Sequence, residues 1–259
     1  LVQELGELLN ADNLANNTAH AREGGAGQKT ANLAASVAAQ GMHVLVLDLD
    51  PQNATRFHLG LSASERGGLA SYLTGQELSL PKYDTACGAV LCPYGDVNED
   101  VRLQFEVALS ENPLLLENFI QRLGMPPETI VLIDTPPGPS LYLRQATVFA
   151  DRVLAVVQAD AASFATFPRM IGLFNRYAQS ARYSPDLRLV VNQTNPLKEL
   201  SEDVLLLLRS DYPREFFAVI HQDQSVSEAL AFRKTVFEYD PKCQASVDFQ
   251  SLTQKLLEK

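Results

Sequence analysis

The chain has 259 residues, of which 46% are hydrophobic and 20% charged, and its formal net charge is −10. The hydrophobic share excludes a disordered chain. The negative charge argues against a protein that acts mainly on nucleic acid, because such affinity comes from neutralising phosphates. The three cysteines match no zinc or redox spacing, no apolar run reaches the ~18–20 residues of a transmembrane helix, and residues 1–20 do not resemble a secretory signal. We therefore expect a cytoplasmic protein with free thiols and without direct membrane insertion.

Short apolar runs alternate with stretches of helical character along the chain. The predicted strands are Val44–Leu47, Ala89–Leu91, Ile130–Ile133, Val153–Val157, Leu187–Val191 and Phe217–Ile220. The predicted helices are Ala31–Gln40, Leu69–Leu73, Leu114–Leu123, Phe164–Ala178, Ser201–Leu208 and Ser225–Phe232. Most of these runs are apolar on both faces, as buried parallel strands are. The alternation predicts one α/β domain over residues 1–259, with a doubly wound, mostly parallel sheet and helices on both faces.

Local signals refine the two ends of the chain. Leu14–Ala21 is a poor strand by propensity, so residues 1–20 are expected to be atypical for this architecture. Ser225 and Glu228 have the spacing of a capping box, and Asp240-Pro241 is typical of a turn or a helix start. The end of the chain, Phe249–Lys259, is only weakly amphipathic and not strongly basic, which disfavours a membrane-targeting tail.

A glycine-rich segment leads into the first predicted helix. Its residues are Glu23, Gly24, Gly25, Ala26, Gly27, Gln28, Lys29 and Thr30. Such a loop presents backbone N–H groups to phosphate, and the helix dipole adds to the attraction. The lysine would neutralise the β- and γ-phosphates, and the threonine hydroxyl would reach Mg²⁺. A flexible loop without a ligand is the alternative for this motif taken alone.

Acidic residues follow two of the predicted strands. Asp48 follows the predicted strand Val44–Leu47 directly, and Asp50 follows two residues later. Because side chains alternate along a strand, the two carboxylates should point to the same side. Asp134 follows Ile130–Ile133, which is the place for a metal-coordinating acid at a strand tip. Gly138, four residues later, can bring its backbone N–H close to a γ-phosphate. Each acid could instead be a solvated strand end, but the ordered set of three motifs favours a nucleotide site.

Two weaker signals lie later in the chain. Asn192-Gln193 follows a predicted strand, and an amide can pair with a purine edge, although an asparagine here could equally cap a loop. His58 and His221 have no partner pattern and are interpreted as structural.

The three motifs resemble the MinD/ParA class of deviant P-loop ATPases. Within that class, further stretches are similar to the BcsQ proteins of bacterial cellulose synthesis: Asp48–Leu61, Pro93–Gly95, Ile133–Ala146, Ala159–Thr166, Val191–Gln193 and His221–Tyr239. The resemblance implies a homodimer that binds ATP and Mg²⁺ through its nucleotide face and hydrolyses ATP slowly. In these terms Asp50 and Lys29 are catalytic, and Thr30 and Asp134 hold the metal. The other nucleotide contacts are Gly24, Gly25, Ala26, Gly27, Gln28, Asp48, Asn192, Gln193 and Gly138.

The glycine-rich loop departs from the family pattern. With the glycines as anchor, Glu23 stands where the family has its signature lysine, and Gln28 stands at the P-loop lysine. A one-residue slip restores Lys29-Thr30 as the lysine–threonine pair. A carboxylate facing a triphosphate at low dielectric would weaken binding. Either the site is degenerate, or roughly the first 35 residues are an altered sequence.

Three functions follow from these features. The first is a nucleotide-dependent switch that helps assemble, localise or regulate the cellulose synthase complex, with recruitment to the inner-membrane complex or the cell pole and with other cellulose secretion proteins as partners. The second is a scaffold of the same fold with little or no hydrolysis, which Glu23 and Gln28 favour. The third is a DNA-partitioning ATPase, which the charge of −10 disfavours.

Overall fold

The structure is a computed structural model that describes residues 2–4, 26–181 and 184–258. Its strands are β1 Val2–Glu4, β2 Val44–Asp48, β3 Tyr83–Asp84, β4 Val90–Cys92, β5 Ile130–Thr135, β6 Arg152–Gln158, β7 Asp186–Thr194 and β8 Phe216–His221. Its helices are α1 Ala26–Ala38, α2 Thr55–His58, α3 Leu69–Leu73, α4 Glu99–Glu111, α5 Leu115–Arg122, α6 Leu141–Phe149, α7 Ala161–Ala178, α8 Glu199–Asp211, α9 Gln224–Ala231, α10 Val236–Tyr239 and α11 Gln244–Leu257.

The described strands form one sheet in the order β3-β4-β2-β5-β1-β6-β7-β8. Every neighbouring pair is parallel except β3 with β4, so the prediction of a doubly wound, mostly parallel sheet is confirmed. Strands β2 to β5 lie on one side of β1, and strands β6 to β8 lie on the other side. The direction in which the chain adds strands to the sheet therefore reverses beside β1. In sheets of this kind ligands bind beyond the carboxyl ends of the strands at such a reversal.

Alternation along the strands sends side chains to two separate cores. In β2, Val44 and Val46 face a core built from α1, α9, α10 and α11, whereas Leu45 and Leu47 face α3, α4, α5 and α6. A third cluster lies between β6, β7 and helices α6, α7 and α8. Because helices cover both faces of the sheet, the central residues of β2, β5 and β6 are apolar on both faces, and this pattern made these strands predictable.

Several elements differ from the sequence-based expectations. The strand β1, which lies between β5 and β6, was not predicted, and the region Leu14–Ala21 lies outside the described residues. The helices α2, α4, α6, α10 and α11 were also not predicted. Val247 is exposed, but Phe249 and Leu252 of α11 are buried in the α1-side core, so the weakly amphipathic end of the chain is a structural helix.

The capping box expected at Ser225 and Glu228 was wrong. Helix α9 begins earlier, and its cap is Asp223, whose side chain accepts a hydrogen bond from the Ser225 backbone N–H at 2.9 Å. A capping box does occur at α10, between Thr235 and Glu238. Aspartate is as good a cap as serine, so the serine–glutamate spacing did not decide the start of the helix. Asp240-Pro241 forms a turn rather than a helix start.

Among the described helices, none is both long enough and apolar enough to cross a bilayer.

Candidate functional site

Two buried aspartates meet where β2 and β5 end. Asp48 is the last residue of β2, and its register partner in β5 is Asp134. Asp48 shares strand parity with Val46, and Asp134 shares parity with Leu132, so both carboxylates lie on the side of the sheet covered by α1. Both are almost fully buried. The expectation of acids gathered at this edge is therefore met in the geometry, although their roles stay predictions.

Thr55, the first residue of α2, connects the two carboxylates. Its backbone N–H donates to Asp48 Oδ2 at 3.3 Å, and its hydroxyl donates to Asp134 Oδ2 at 2.8 Å. Asp48 Oδ1 accepts from the Asp50 backbone N–H at 3.0 Å, which turns the chain at the strand tip. These hydrogen bonds hold the two carboxylates in a fixed arrangement.

Burial makes the charged form of both acids unfavourable. It raises the pKa of Asp48 to about 7, against smaller lowering by the Asp50 and Thr55 hydrogen bonds. Burial also raises the pKa of Asp134 well above its usual value, and the neighbouring Asp48 charge adds to the rise. Two buried carboxylates at one strand edge favour either a shared proton or a bound cation.

The atoms facing this edge fit a magnesium ion that is shared with phosphate. Thr30 Oγ1 and Asp134 Oδ1 are both buried, and neither makes a hydrogen bond of normal geometry among the described residues. The two side chains are neighbours, since the Thr30 hydroxyl is among the groups that lower the Asp134 pKa against the larger effect of burial. Buried polar oxygens without a hydrogen bond are costly, and Mg²⁺ prefers such hard oxygen ligands.

The described residues alone do not supply enough ligands for a metal ion. In the described part of the chain, no group of three or more His, Cys, Asp or Glu residues could hold a metal. The ion would therefore need oxygens from a ligand, as magnesium–nucleotide sites use.

The glycine-rich segment enters the structure at the first turn of α1. Glu23, Gly24 and Gly25 lie outside the described residues, and Ala26 opens the helix. A Cβ atom built on Gly27 would stand 2.8 Å from both the backbone nitrogen and the hydroxyl of Thr55. Only glycine allows α1 to approach α2 this closely, so Gly27 positions the residue that bridges the two aspartates.

Gln28 and Lys29 face a different part of the same edge. The Gln28 amide donates to the Val226 carbonyl in α9 at 2.9 Å, and so it is engaged within the fold. Lys29 is buried and, with Gln28, lines a cavity of about 990 Å³. Successive helix residues are about 100° apart around the axis, which separates Lys29 from Thr30. The structure thus places the Thr30 hydroxyl in the buried site at the strand tips and Lys29 on the cavity wall.

The remaining predicted site residues are distributed over these two regions. Asn192 and Gln193, at the end of β7, line the cavity, and Gln193 has a left-handed backbone with φ of 54°. Gly138 has φ of 82° in the loop after β5, a conformation that favours glycine. Asp50 is partly buried, and its carboxylate accepts from the Gln52 backbone N–H at 2.8 Å. Burial raises the pKa of Asp50.

The sequence analysis missed two contributors. Thr55 lies inside the Asp48–Leu61 stretch that carries the resemblance, but no spacing rule links it to Asp134, which is 79 residues away. His221, which was interpreted as structural, contacts Asp248 of α11, and it also lines the cavity, which the sequence did not indicate. Burial lowers the pKa of His58 to about 4, as expected for a neutral structural histidine.

Comparison with known proteins shows the family to which the chain belongs. The family model for "Cellulose biosynthesis protein BcsQ" matches residues 18–257. The chain belongs to the BcsQ family. It is also 25% identical over 219 residues to the BcsQ protein of Salmonella typhimurium, covering 81% of this chain and 80% of that one. The chromosome partitioning protein ParA of Caulobacter vibrioides is 27% identical over 248 residues, covering 92% of each chain.

The fold is that of the MinD/ParA-type P-loop proteins. The septum site-determining protein MinD from Pyrococcus horikoshii, solved in complex with Mg-ADP, superposes with a TM-score of 0.72. That match covers 99% of this chain and 95% of the MinD chain at 18% identity. The chain therefore has the architecture that its resemblance to the MinD/ParA class predicts.

Proposed function

We propose that this BcsQ-family protein is a nucleotide-dependent switch that binds ATP with Mg²⁺ at the carboxyl edge of its sheet and hydrolyses it slowly. The observation that carries the proposal is a pair of buried oxygens, Thr30 Oγ1 and Asp134 Oδ1, which lie beside Asp48 and make no hydrogen bond of normal geometry within the described residues. A fold that keeps these oxygens in this state is poised for a cation that a phosphate group completes.

The proposed roles follow the positions of the side chains. Thr30 and Asp134 would hold Mg²⁺, which when bound would neutralise phosphate charge. Asp48 accepts hydrogen bonds from the backbone N–H groups of Asp50 and Thr55, and these bonds fix the backbone where β2 ends. Asp50 would orient the attacking water. Gly24, Gly25, Ala26, Gly27 and Gly138 would bring backbone N–H groups to phosphate, Lys29 would add positive charge, and Gln28, Asn192 and Gln193 would contact the rest of the nucleotide.

The biological role proposed for this switch is to assemble, localise or regulate the cellulose synthase complex. The family match over residues 18–257 supports it, and the net charge of −10 disfavours the DNA-partitioning role named for the ParA relative. Its partners would be a second copy, through the nucleotide face, and other cellulose secretion proteins. The protein would work in the cytoplasm, with recruitment to the synthase complex. Nucleotide-dependent, salt-sensitive DNA binding would instead favour partitioning.

A scaffold without hydrolysis is the second candidate. The Gln28 side chain, which replaces the P-loop lysine when the glycines are aligned, is bound to the Val226 carbonyl rather than presented to phosphate. A protein of this kind would have the same fold and act through protein contacts alone.

Single-turnover phosphate release separates the two candidates. We expect the wild-type protein to release phosphate from ATP in the presence of Mg²⁺, and Asp50→Ala to slow that release by about 10²-fold or more, since positioned acid–base groups contribute that much. Asp151→Ala is the matched control, because Asp151 is an exposed aspartate at the opposite end of β6. A wild-type rate no higher than that of Asp50→Ala would reject the switch in favour of the scaffold.

A further inference from the structure

His221 lies at the end of β8 on the wall of the 990 Å³ cavity, held by a carboxylate from another element. Its backbone N–H donates to Asp248 Oδ2 at 2.7 Å, and its ring Nδ1 lies 2.9 Å from the same oxygen. Asp248 is buried in α11, and its other oxygen accepts from the Gln244 amide at 2.9 Å. The carboxylate therefore receives three hydrogen bonds.

This arrangement fixes which ring nitrogen of His221 carries the proton. An ionised carboxylate only accepts hydrogen bonds, so Nδ1 must be the donor in the Nδ1–Asp248 contact. In the neutral imidazole the second nitrogen, Nε2, is then a hydrogen-bond acceptor. The contacts of the ring within the described residues use Nδ1, and 37% of the side chain is exposed, which leaves the Nε2 edge accessible.

The surroundings of His221 suit a flat heterocycle. The cavity has the volume of a small-molecule site. Apolar side chains of Ile220 and Phe249 line it beside His221, and Asn192 adds an amide that can donate and accept. Lys29 lines the same cavity from the first turn of α1, which follows the glycine-rich segment in the sequence.

We infer that the His221–Asp248 pair reads the base of the bound nucleotide and selects a 6-aminopurine over a 6-oxopurine. His221 Nε2 accepts from the exocyclic amino group of adenine, whereas the corresponding oxygen of guanine is itself an acceptor and leaves Nε2 without a donor. Asp248 is a positioning residue, since it acts on the base only by fixing the proton of His221. The inference rests on the proposed function, because it deepens the site assigned there to the nucleotide.

The test compares the binding of Mg-ATP and Mg-GTP by isothermal titration calorimetry. We expect the wild-type protein to prefer ATP by about tenfold, because the bound base would cover Nε2 and leave it without a donor when guanine replaces adenine. His221→Phe should lose this preference mainly through weaker ATP binding. His43→Phe is the matched control, since His43 is exposed and does not line the cavity, and it should keep the wild-type preference.

Two Asp248 variants test the positioning role. Asp248→Asn keeps an acceptor oxygen for Nδ1 and should retain the preference for ATP, whereas Asp248→Ala should lose most of it. Nitrogen-15 NMR of the imidazole should show the Nδ1–H tautomer in the wild-type and Asp248→Asn proteins. Undiminished preference for ATP in a folded His221→Phe variant would overturn the inference and leave the proposed function standing. Failure of the wild-type protein to bind either nucleotide would overturn both.

Discussion

Asp134→Asn should make the ligand-free protein more stable near pH 8, because the wild-type fold must keep a buried carboxyl protonated or hold its charge out of water, whereas the unfolded chain leaves it ionised. Burial raises the pKa of Asp134 and of Asp48, so the folded state holds their protons more tightly than the unfolded chain does. The stability contributed by these protons is complete below the unfolded pKa, which is about 4 for an aspartate. It is lost as pH rises through the folded values, which for Asp48 is about 7.

Urea unfolding at pH 5.5 and pH 8 measures this effect. The free energy of unfolding of the wild-type protein should fall between the two pH values, and the fall should be smaller in Asp134→Asn. The amide oxygen that this substitution introduces can still accept from the Thr55 hydroxyl, so the hydrogen bond at 2.8 Å need not be lost. Asp151→Asn, a change at an exposed aspartate, should leave the slope unaltered. An Asp134→Asn protein that is less stable than wild type at pH 8 would show that the buried pair is not strained by its charge.

Gly27→Ala should destabilise the protein by about 1–3 kcal/mol, although alanine is the better helix former. The new Cβ would stand 2.8 Å from the Thr55 backbone nitrogen, so α1 and α2 must move apart. Gly172→Ala is the matched control inside α7, because a Cβ there meets nothing within 4 Å. Helix propensity alone predicts that Gly172→Ala stabilises by up to about 1 kcal/mol.

The two variants are compared by thermal unfolding and by nucleotide binding. Because Thr55 bridges Asp48 and Asp134, the shift forced by Gly27→Ala should also weaken binding of Mg-ATP, whereas Gly172→Ala should bind as the wild-type protein does. Equal stability changes in the two variants would mean that the contact between Gly27 and Thr55 does not constrain the fold.

The core of the sheet was predictable from the sequence because its strands are buried on both faces. Continuous apolar runs such as Ile130–Ile133 and Val153–Val157 became β5 and β6 with one or two residues added at their ends. The acids at the strand tips were equally predictable, since parallel strands bring their carboxyl ends to one edge. Asp48 and Asp134 are therefore adjacent although they are distant in sequence.

Other features depend on tertiary contacts that no local pattern carries. Helix α4 has a mixed polar and apolar surface, and only packing of Val101, Phe105 and Leu109 on the sheet defines its buried face. The link from Thr55 to Asp134 and the pair of His221 with Asp248 join residues from separate elements. The start of α9 was also not decided by local sequence. Asp223 and Ser225 are both good helix caps and lie two residues apart, and the structure uses Asp223.

The central claim is that Thr30, Asp48 and Asp134 form a site for magnesium and nucleotide together. Calorimetric titration of the wild-type protein with ATP, with and without Mg²⁺, tests it most directly when Asp134→Asn is measured alongside. We predict saturable binding that requires Mg²⁺ in the wild-type protein and a loss of at least about tenfold in affinity in Asp134→Asn, as removal of one charged ligand implies. ATP binding that is equally tight without Mg²⁺, or unchanged in Asp134→Asn, would contradict the claim.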